Sequence, residues 1–483
     1  MITISRRTAL QLRAMFRRAF RCRGPFPAVC FNASQGTLSV KARSYDIAAE
    51  YRGSYEGEPD TLCLPFTFLD DCQGKKDDPV QVEKTGKSTA TAQWRDGSVP
   101  QIVQYDLAKP VDPLPEARET FVENPPGILH ALHEAGQTTD SNSTRYAVDC
   151  IQLRKDGTIA ATDGRHVLVQ SGFQFPWDTD VLVTCCRAFA CPELSGVETV
   201  GVARAGDWVA LRAGPWTFYL LINATGRYPK LDEVIPQPAN ATTVCRFSPA
   251  EAEFLIETLP KLPGDEAYNN PVTLDFNGRI AILARGPDQQ RPTEVVLPAS
   301  TLSGAPMRLG TNRTYLLRAL KLGFRELRLY SDKSPLLCLD DTRRYLWMPL
   351  EPESAIKPAE DAIRIEPPAP QDVPSTSTST TTIKTRRRIP AMQQTQSTTA
   401  NGHAANGDQA AVPAANGRAR KAKKADRQDV EGLIEHAVLV RTSLRETLTK
   451  TNDLLKALKR HRRQSRAIAS TLASLKQLKT LGV

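Results

Sequence analysis

The sequence predicts an α+β fold: three like domains in tandem, each an antiparallel sheet backed by two helices, then a disordered linker and a C-terminal helix or coiled coil. Three observations carry this prediction. One order of elements (helix, strands, helix, strands) occurs three times, with first helices near residues 6, 126 and 248 and second helices near 65, 183 and 311. Strand patterns outnumber helical ones in every copy, so the helices cover a sheet and do not form a bundle. The charge is unevenly divided: residues 353–483 hold 23 Lys or Arg against 12 Asp or Glu, whereas residues 1–352 hold 40 against 41.

The first copy spans 1–115. MITIS reads as a strand, and the Arg-rich helix after it has Ser5 as its cap and Leu12, Met15, Phe16 and Ala19 on one face. An Arg-rich start imitates an organelle transit peptide, but strand-like sequence continues directly after it, which favours a folded element. AVCFNAS, TLSVKARS and DIAAEYRG read as strands, with a turn at Gln35-Gly36. Pro65 opens a second helical turn carrying Phe66, Phe68 and Leu69, and a proline-rich joint from Pro110 to Pro115 closes the copy.

The second copy, 116–241, begins with a helix in PPGILHALHEAG. A second short helix is expected around Thr184 to Glu193, followed by the strands of ETVGVARAGDWVALRAGPWTFYLLINA and an extended crossing, TGRYPKLDEVIPQP. The third copy, 242–352, opens with SPAEAEFLIETL, whose Ser248 and Glu251 form a capping-box pattern and whose Phe254, Leu255 and Leu259 face inward. VTLDFNG and RIAILARG read as strands, TNRTYLLRALKLG as a helix, and ELRLYSD, PLLCLDD and RRYLWMPL as strands. From 353 to 428 the chain is rich in Pro, Thr, Ala and Lys/Arg, with too few large apolar residues to offset chain entropy. Residues 429–483 regain heptad spacing through Leu433, Val440, Leu454, Ile468 and Leu475, interrupted at Thr447, His461 and Ser465.

Composition narrows the function. A basic tail on a near-neutral body suits a polyanionic partner, nucleic acid first. The ten cysteines are scattered and have no His pair at zinc spacing, so they read as free thiols in a reducing compartment. No run of 18 apolar residues exists, so no membrane span is expected. The six histidines make no nucleophilic or metal-binding pattern, and Asp70-Asp71, Asp156-Gly157 and Asp163-Gly164 fall where turns and helix ends use such residues. No catalytic residue, metal or cofactor is nominated.

The stretch from Arg145 to Val169, RYAVDCIQLRKDGTIAATDGRHVLV, concentrates the remaining signal. It reads as three strands, with turns at Lys155-Asp156-Gly157 and Asp163-Gly164-Arg165-His166 beside an apolar wall of Val148, Val167 and Val169. With INATGRYPKLDEVIP, MRLGTNRTYLLRAL and SPLLCLDDTRRYLWMPL, it resembles the bacterial DNA polymerase III beta subunit, the sliding clamp. The resemblance covers about 1–352 and is weakest in the first copy, where TLSVKARSYDIAAEYR and the Pro65 turn carry it.

The resemblance implies three clamp domains, a head-to-tail homodimeric ring around double-stranded DNA, and a non-catalytic, cytoplasmic, nucleoid-associated role. It implies as partners the polymerase III catalytic subunit, the clamp loader and other clamp-binding proteins. The ring would touch phosphates loosely through Arg13, Arg17, Arg18, Arg21, Arg23, Arg313, Arg318 and Lys321, with Asn142 a carried-over polar contact. The implied pocket for partner peptides is Val148, Thr162, Gly164, Arg165, His166, Val167, Pro229, Val234, Leu346, Met348, Pro349 and Leu350. Three positions depart from the family: Gly164-Arg165-His166 replaces the common Gly-His-Arg order, Glu233 stands where a basic residue is common, and Trp347 where smaller residues are usual. Residues 384–427 suit a sequence-neutral DNA tether, and the last helix an association element. The competing expectation is a clamp-derived adaptor that binds proteins and DNA without closing a ring.

Overall fold

A computed structural model describes residues 1–20, 24–116, 120–140, 146–265 and 269–368. Arg21, Arg23 and Asn142, the linker from residue 369 and the expected helix at 429–483 lie outside the described residues.

Among the described residues five α-helices form where the sequence places apolar stripes, three of them behind a capping side chain. Helix α1 (Arg6–Ala19) starts at Ser5, whose Oγ accepts the Thr8 N–H at 3.0 Å, and buries Leu12, Met15, Phe16 and Ala19. Helix α2 (Thr67–Cys72) follows Pro65, and α3 (Gly127–Gly136) buries Ile128, Leu129 and Leu132. Helix α4 (Pro249–Thr258) is capped by Ser248, which accepts the Glu251 N–H at 3.3 Å. Only half of that capping box closes, because the Glu251 carboxylate instead accepts the Ala299 N–H and the Ser300 hydroxyl. Helix α5 (Arg313–Lys321) is capped by Asn312.

The described strands assemble into four sheets of four, eight, nine and five strands. Their order explains the chain's architecture. The two large sheets are each made from two neighbouring parts of the chain. Ile47–Tyr55 pairs with Trp216–Leu221 to fuse the eight-stranded sheet, and His166–Gln170 pairs with Arg343–Trp347 to fuse the nine-stranded one. Both junctions are antiparallel and run five residues, Ile47 to Tyr51 against Leu220 to Trp216 and His166 to Gln170 against Trp347 to Arg343. The two small sheets lie at the ends of the series. One runs Ile2–Ser5, Pro79–Lys84, Thr89–Asp96, Val99–Asp106; the other runs Met307–Asn312, Pro271–Phe276, Ala281–Ala284, Thr293–Val296, Ile363–Ile365.

The helices pair across the same junctions. Helix α1 packs against the 3-10 turn Arg187–Ala190, and Arg318 of α5 bonds Gln137 Oε1, Glu134 O and Thr138 Oγ1 at the end of α3. One continuous core runs from Ile2 through Phe16, Trp216 and Phe218 to Leu220, and a second from Leu168 through Leu255, Tyr345 and Trp347. Trp347 is 1 % exposed and donates its Nε1–H to Thr311 Oγ1 at 2.8 Å.

Three expectations are corrected. The helix expected around Thr184 to Glu193 is two 3-10 turns, Arg187–Ala190 and Pro192–Leu194. Pro192 holds Cys191 in extended backbone and interrupts any α-helix there. Cys30 and Cys63 are not free thiols: Val29–Ser34 and Asp60–Leu64 set them directly opposite with Cα atoms 4.0 Å apart, and they form a disulfide. The chain is not structureless from residue 353, since Pro352–Ser354 forms a 3-10 turn and Ile363–Ile365 adds a strand to the five-stranded sheet.

Candidate functional site

On the face away from its helices the fused nine-stranded sheet carries a second apolar cluster, buried at its centre and accessible at its margin. Side chains alternate along each strand, so a single register sorts two sets of residues to opposite faces. Leu168, Leu336, Cys338, Tyr345 and Trp347 enter the helix-side core, whereas Ala160, Val167, Leu337 and Leu346 form a separate cluster with Leu231. Val167 lies opposite Leu346, and Leu346 opposite Leu337, so this cluster is a cross-strand ladder spanning the junction. Tyr228, Ile235, Val169, Tyr330 and Leu339 border it half-buried. Val234 and Met348 stand beside it 50 % and 49 % exposed.

The Asp163-Gly164-Arg165-His166 turn closes one end. Gly164 has φ +85°, in the left-handed region that favours glycine. Thr162 Oγ1 donates to His166 O at 2.7 Å and accepts the Gly164 N–H, while Asp163 Oδ1 accepts the N–H groups of Arg165 and His166. The Met348 N–H reaches Arg165 O at 3.3 Å and ties the turn to the end of Arg343–Trp347. The turn is therefore rigid, with Arg165 outward.

His166 is directed elsewhere than expected. It shares parity with Leu168, so it points to the helix side and not to the patch. Its ring stacks on Tyr315 of α5 with centroids 4.8 Å apart, and Nδ1 meets the Tyr345 hydroxyl at 2.9 Å. Burial pushes this imidazole down to about 4; Asp163 opposes the shift, and Arg318 and Arg165 add to it. The exchanged Arg165-His166 order thus leaves the arginine on the outer turn and a neutral histidine inside the junction.

The remaining nominated pocket residues divide. Pro229 borders a cleft of about 400 Å³ flanked by Tyr228, Leu231, Asp232 and Glu233, next to the patch. Glu233 is paired with Lys230 at 3.1 Å, and Arg154 with Asp232 at 2.9 Å, so the cleft's charges are largely matched. Val148 is buried, its carbonyl accepting the Asp140 N–H, and lies outside the ladder. Pro349 is half-buried, and Leu350 turns away to bond Gly310 O of the five-stranded sheet. Leu231, Leu337, Tyr228 and Ile235 were missed by sequence reasoning. Only strand pairing reveals Leu337, although the apolar periodicity of TGRYPKLDEVIP marks the other three.

The nominated basic residues also divide. Arg13 and Arg17 of α1 both bond Asp70 of α2, at 2.5 and 2.8 Å, leaving one uncompensated positive charge among the three groups. Arg17 also lies over the Phe26 and Phe66 rings. Arg18 is exposed and reaches Cys191 Sγ, and Lys321 is exposed on α5. Arg313 does not face solvent: it is 6 % exposed and donates to the carbonyls of Leu259, Leu262, Pro263 and Asn270. Arg318 is occupied by α3, as described. Arg187, on the turn packed against α1, is exposed and was not nominated.

Among the described residues there is no cluster of His, Cys, Asp or Glu able to hold a metal ion, and no helix long and apolar enough to cross a membrane.

Helix-backed half-sheets fused edge to edge in series define the class: this is a sliding-clamp fold. The chain is similar in structure to the Pseudomonas aeruginosa sliding clamp, DNA polymerase III subunit beta, solved bound to griselimycin, with a TM-score of 0.61 and 18% identity over 72% of this chain and 99% of that one. It is similar to the DNA polymerase beta subunit of Streptococcus pyogenes at a TM-score of 0.62 and 15% identity, and to the DNA polymerase III beta chain of Streptococcus pneumoniae at 0.60 and 16%, with the same coverage. No family model and no curated protein matches the sequence.

Proposed function

We propose that this chain is a DNA-encircling processivity factor, a sliding clamp acting as the beta subunit of a DNA polymerase III, with no catalytic step of its own. It tethers polymerase to double-stranded DNA, docks short apolar peptides of polymerase, loader and other partners, and works in the cytoplasm on the nucleoid as a head-to-tail homodimer. The three domains run 1–115, 116–241 and 242–352.

One observation carries the reading: the junctions form an unfinished cyclic series. The first domain's Ile47–Tyr55 joins the second domain's Trp216–Leu221, and the second domain's His166–Gln170 joins the third domain's Arg343–Trp347. The equivalent next junction would use the third domain's Thr293–Val296 and the first domain's Val99–Asp106. Among the described residues neither strand pairs with another domain: the first carries only the short Ile363–Ile365, and the second exposes Val99 and Ile102. The helices follow the same rule. Helix α1 packs on the second domain, and α3 is tied to the third through Arg318, leaving α4 and α2 as the complementary pair. A heterologous interface that repeats an internal one closes into a ring when its rotation permits.

Sparse basic residues suit sliding, since phosphate contacts carry no sequence information and strong ones would arrest motion. Arg17, Arg18, Lys321 and Arg187 are the exposed set; Arg313 is withdrawn from it. The peptide pocket is the accessible margin of this cluster, exposed Val234 and Met348 with half-buried Tyr228 and Ile235, resting on buried Val167, Leu346, Leu337 and Leu231. The test is loading onto nicked circular DNA, with retention lost when the DNA is linearised.

The adaptor reading has one observation in its favour: Ile363–Ile365 lies along Thr293–Val296, the strand a second copy would need. A chain that stays monomeric at micromolar concentration and leaves circular and linear DNA equally fast would support it.

A further inference from the structure

Residues past Leu350 cross the five-stranded sheet from one edge to the other. The Leu350 N–H bonds Gly310 O on the first strand at 2.9 Å, and the Ile356 N–H bonds Thr273 Oγ1 on the second at 2.8 Å. At Gly310 a β-carbon would collide with Ser354 Oγ, so the absence of a side chain there lets this segment lie flat on the sheet. The segment ends at the far edge, where Ile363–Ile365 pairs with Thr293–Val295 and the Ile363 N–H bonds Pro292 O at 2.9 Å. Two ion pairs hold it there: Arg364 with Glu294 at 3.0 Å, and Arg291 with Asp361 at 3.2 Å.

We propose that 351–365 is a self-capping strap which occupies the ring-closing strand of the third domain and must be displaced before a second copy can bind. This inference rests on the ring reading above. Its physical basis is the contrast between the strap and the two internal junctions. Those junctions are antiparallel and five residues long, whereas the strap is parallel and three residues long. Ile363 is 55 % exposed, Arg364 is exposed, and only Ile365 packs against the core. A bare edge strand is a liability, and a short covering segment blunts it. The incoming competitor, Val99–Asp106, is eight residues long and antiparallel to its own neighbour, with Val99 and Ile102 55 % and 68 % exposed. The longer strand offers more backbone pairing and apolar burial than the strap does, so it replaces the strap at sufficient concentration.

The experiment uses the full chain. Ile363→Pro removes the N–H that bonds Pro292, and Arg364→Glu sets a like charge beside buried Glu294. Dimerisation is measured by sedimentation equilibrium, and strap release by hydrogen exchange across 293–296 in the monomer at low concentration. Both variants are expected to exchange faster there and to dimerise with a Kd at least about ten-fold lower than the parent chain. Faster exchange with an unchanged or higher dimer Kd, while Ile102→Asp still weakens the dimer, overturns the strap and leaves the ring reading standing. Faster exchange with no dimer in the parent chain or either variant at high micromolar concentration overturns the ring reading and the strap's role with it.

Discussion

His166 is where residue-level chemistry bears most directly on the junction. Its side chain is 7 % exposed and its folded-state pKa, about 4, lies below the 6.5 of an unperturbed imidazole. Above pH 6.5 neither the folded nor the unfolded chain binds the proton, so the histidine's contribution is intact. Between pH 6.5 and about 4 the unfolded chain takes the proton first, and stability falls as pH falls. Urea titrations across that window should show this loss in the parent chain and a shallower one in His166→Asn. Arg313 gives a second residue-scale prediction. Replacing it with Met strands several buried carbonyls, so unfolding free energy should drop by about 3 kcal/mol while the salt dependence of DNA binding stays unchanged. A reduced salt slope would return Arg313 to the phosphate-contacting set. Met348→Asp and Val234→Asp alter exposed positions, so they should leave the melting temperature nearly unchanged. They should weaken binding of an apolar partner peptide by about ten-fold or more, read by fluorescence anisotropy.

At the scale of elements, much of the fold was legible because local chemistry and tertiary packing agree. Ser5, Pro65, Ser248 and Asn312 mark helix starts that the structure keeps, and strand alternation in ATDGRHVLV places Val167 and Val169 on one face. What failed to show depends on partners distant in sequence. Alternation puts His166 on the face opposite Val167, but that its face is the helix-side core is set by pairing with Trp347, and the burial of Arg313 by carbonyls 43 to 54 residues away. The Cys30–Cys63 disulfide follows from the register of two strands, which no spacing rule specifies. The strand at Ile363–Ile365 has no periodicity of its own, because three residues added to an existing edge need none. The hydrogen bonds that Asp163 Oδ1 accepts predict that Asp163→Ala frees the Arg165 and His166 N–H groups and loosens this turn, costing about 1 kcal/mol by denaturant midpoint.

For the whole molecule, the account stands on the unfinished series of junctions. The two fused sheets and the pairing of helices follow one rule, and the strands left at the two ends of the series, Val99–Asp106 and the strap-covered Thr293–Val296, are complementary under it. The excess charge after residue 353 is a separate electrostatic contribution. Deleting 384–427 should lower DNA affinity at low salt and flatten its salt dependence without changing retention on closed circles. Topological retention on DNA separates a closed ring from an open chain. Full-length chain, and its Arg364→Glu variant, would be loaded on nicked circular DNA and passed over a sizing column in high salt. The account predicts that protein co-elutes with the circles, more of it for the variant, and is released when one restriction cut linearises them. Equal loss from circular and linear DNA by both proteins would contradict it.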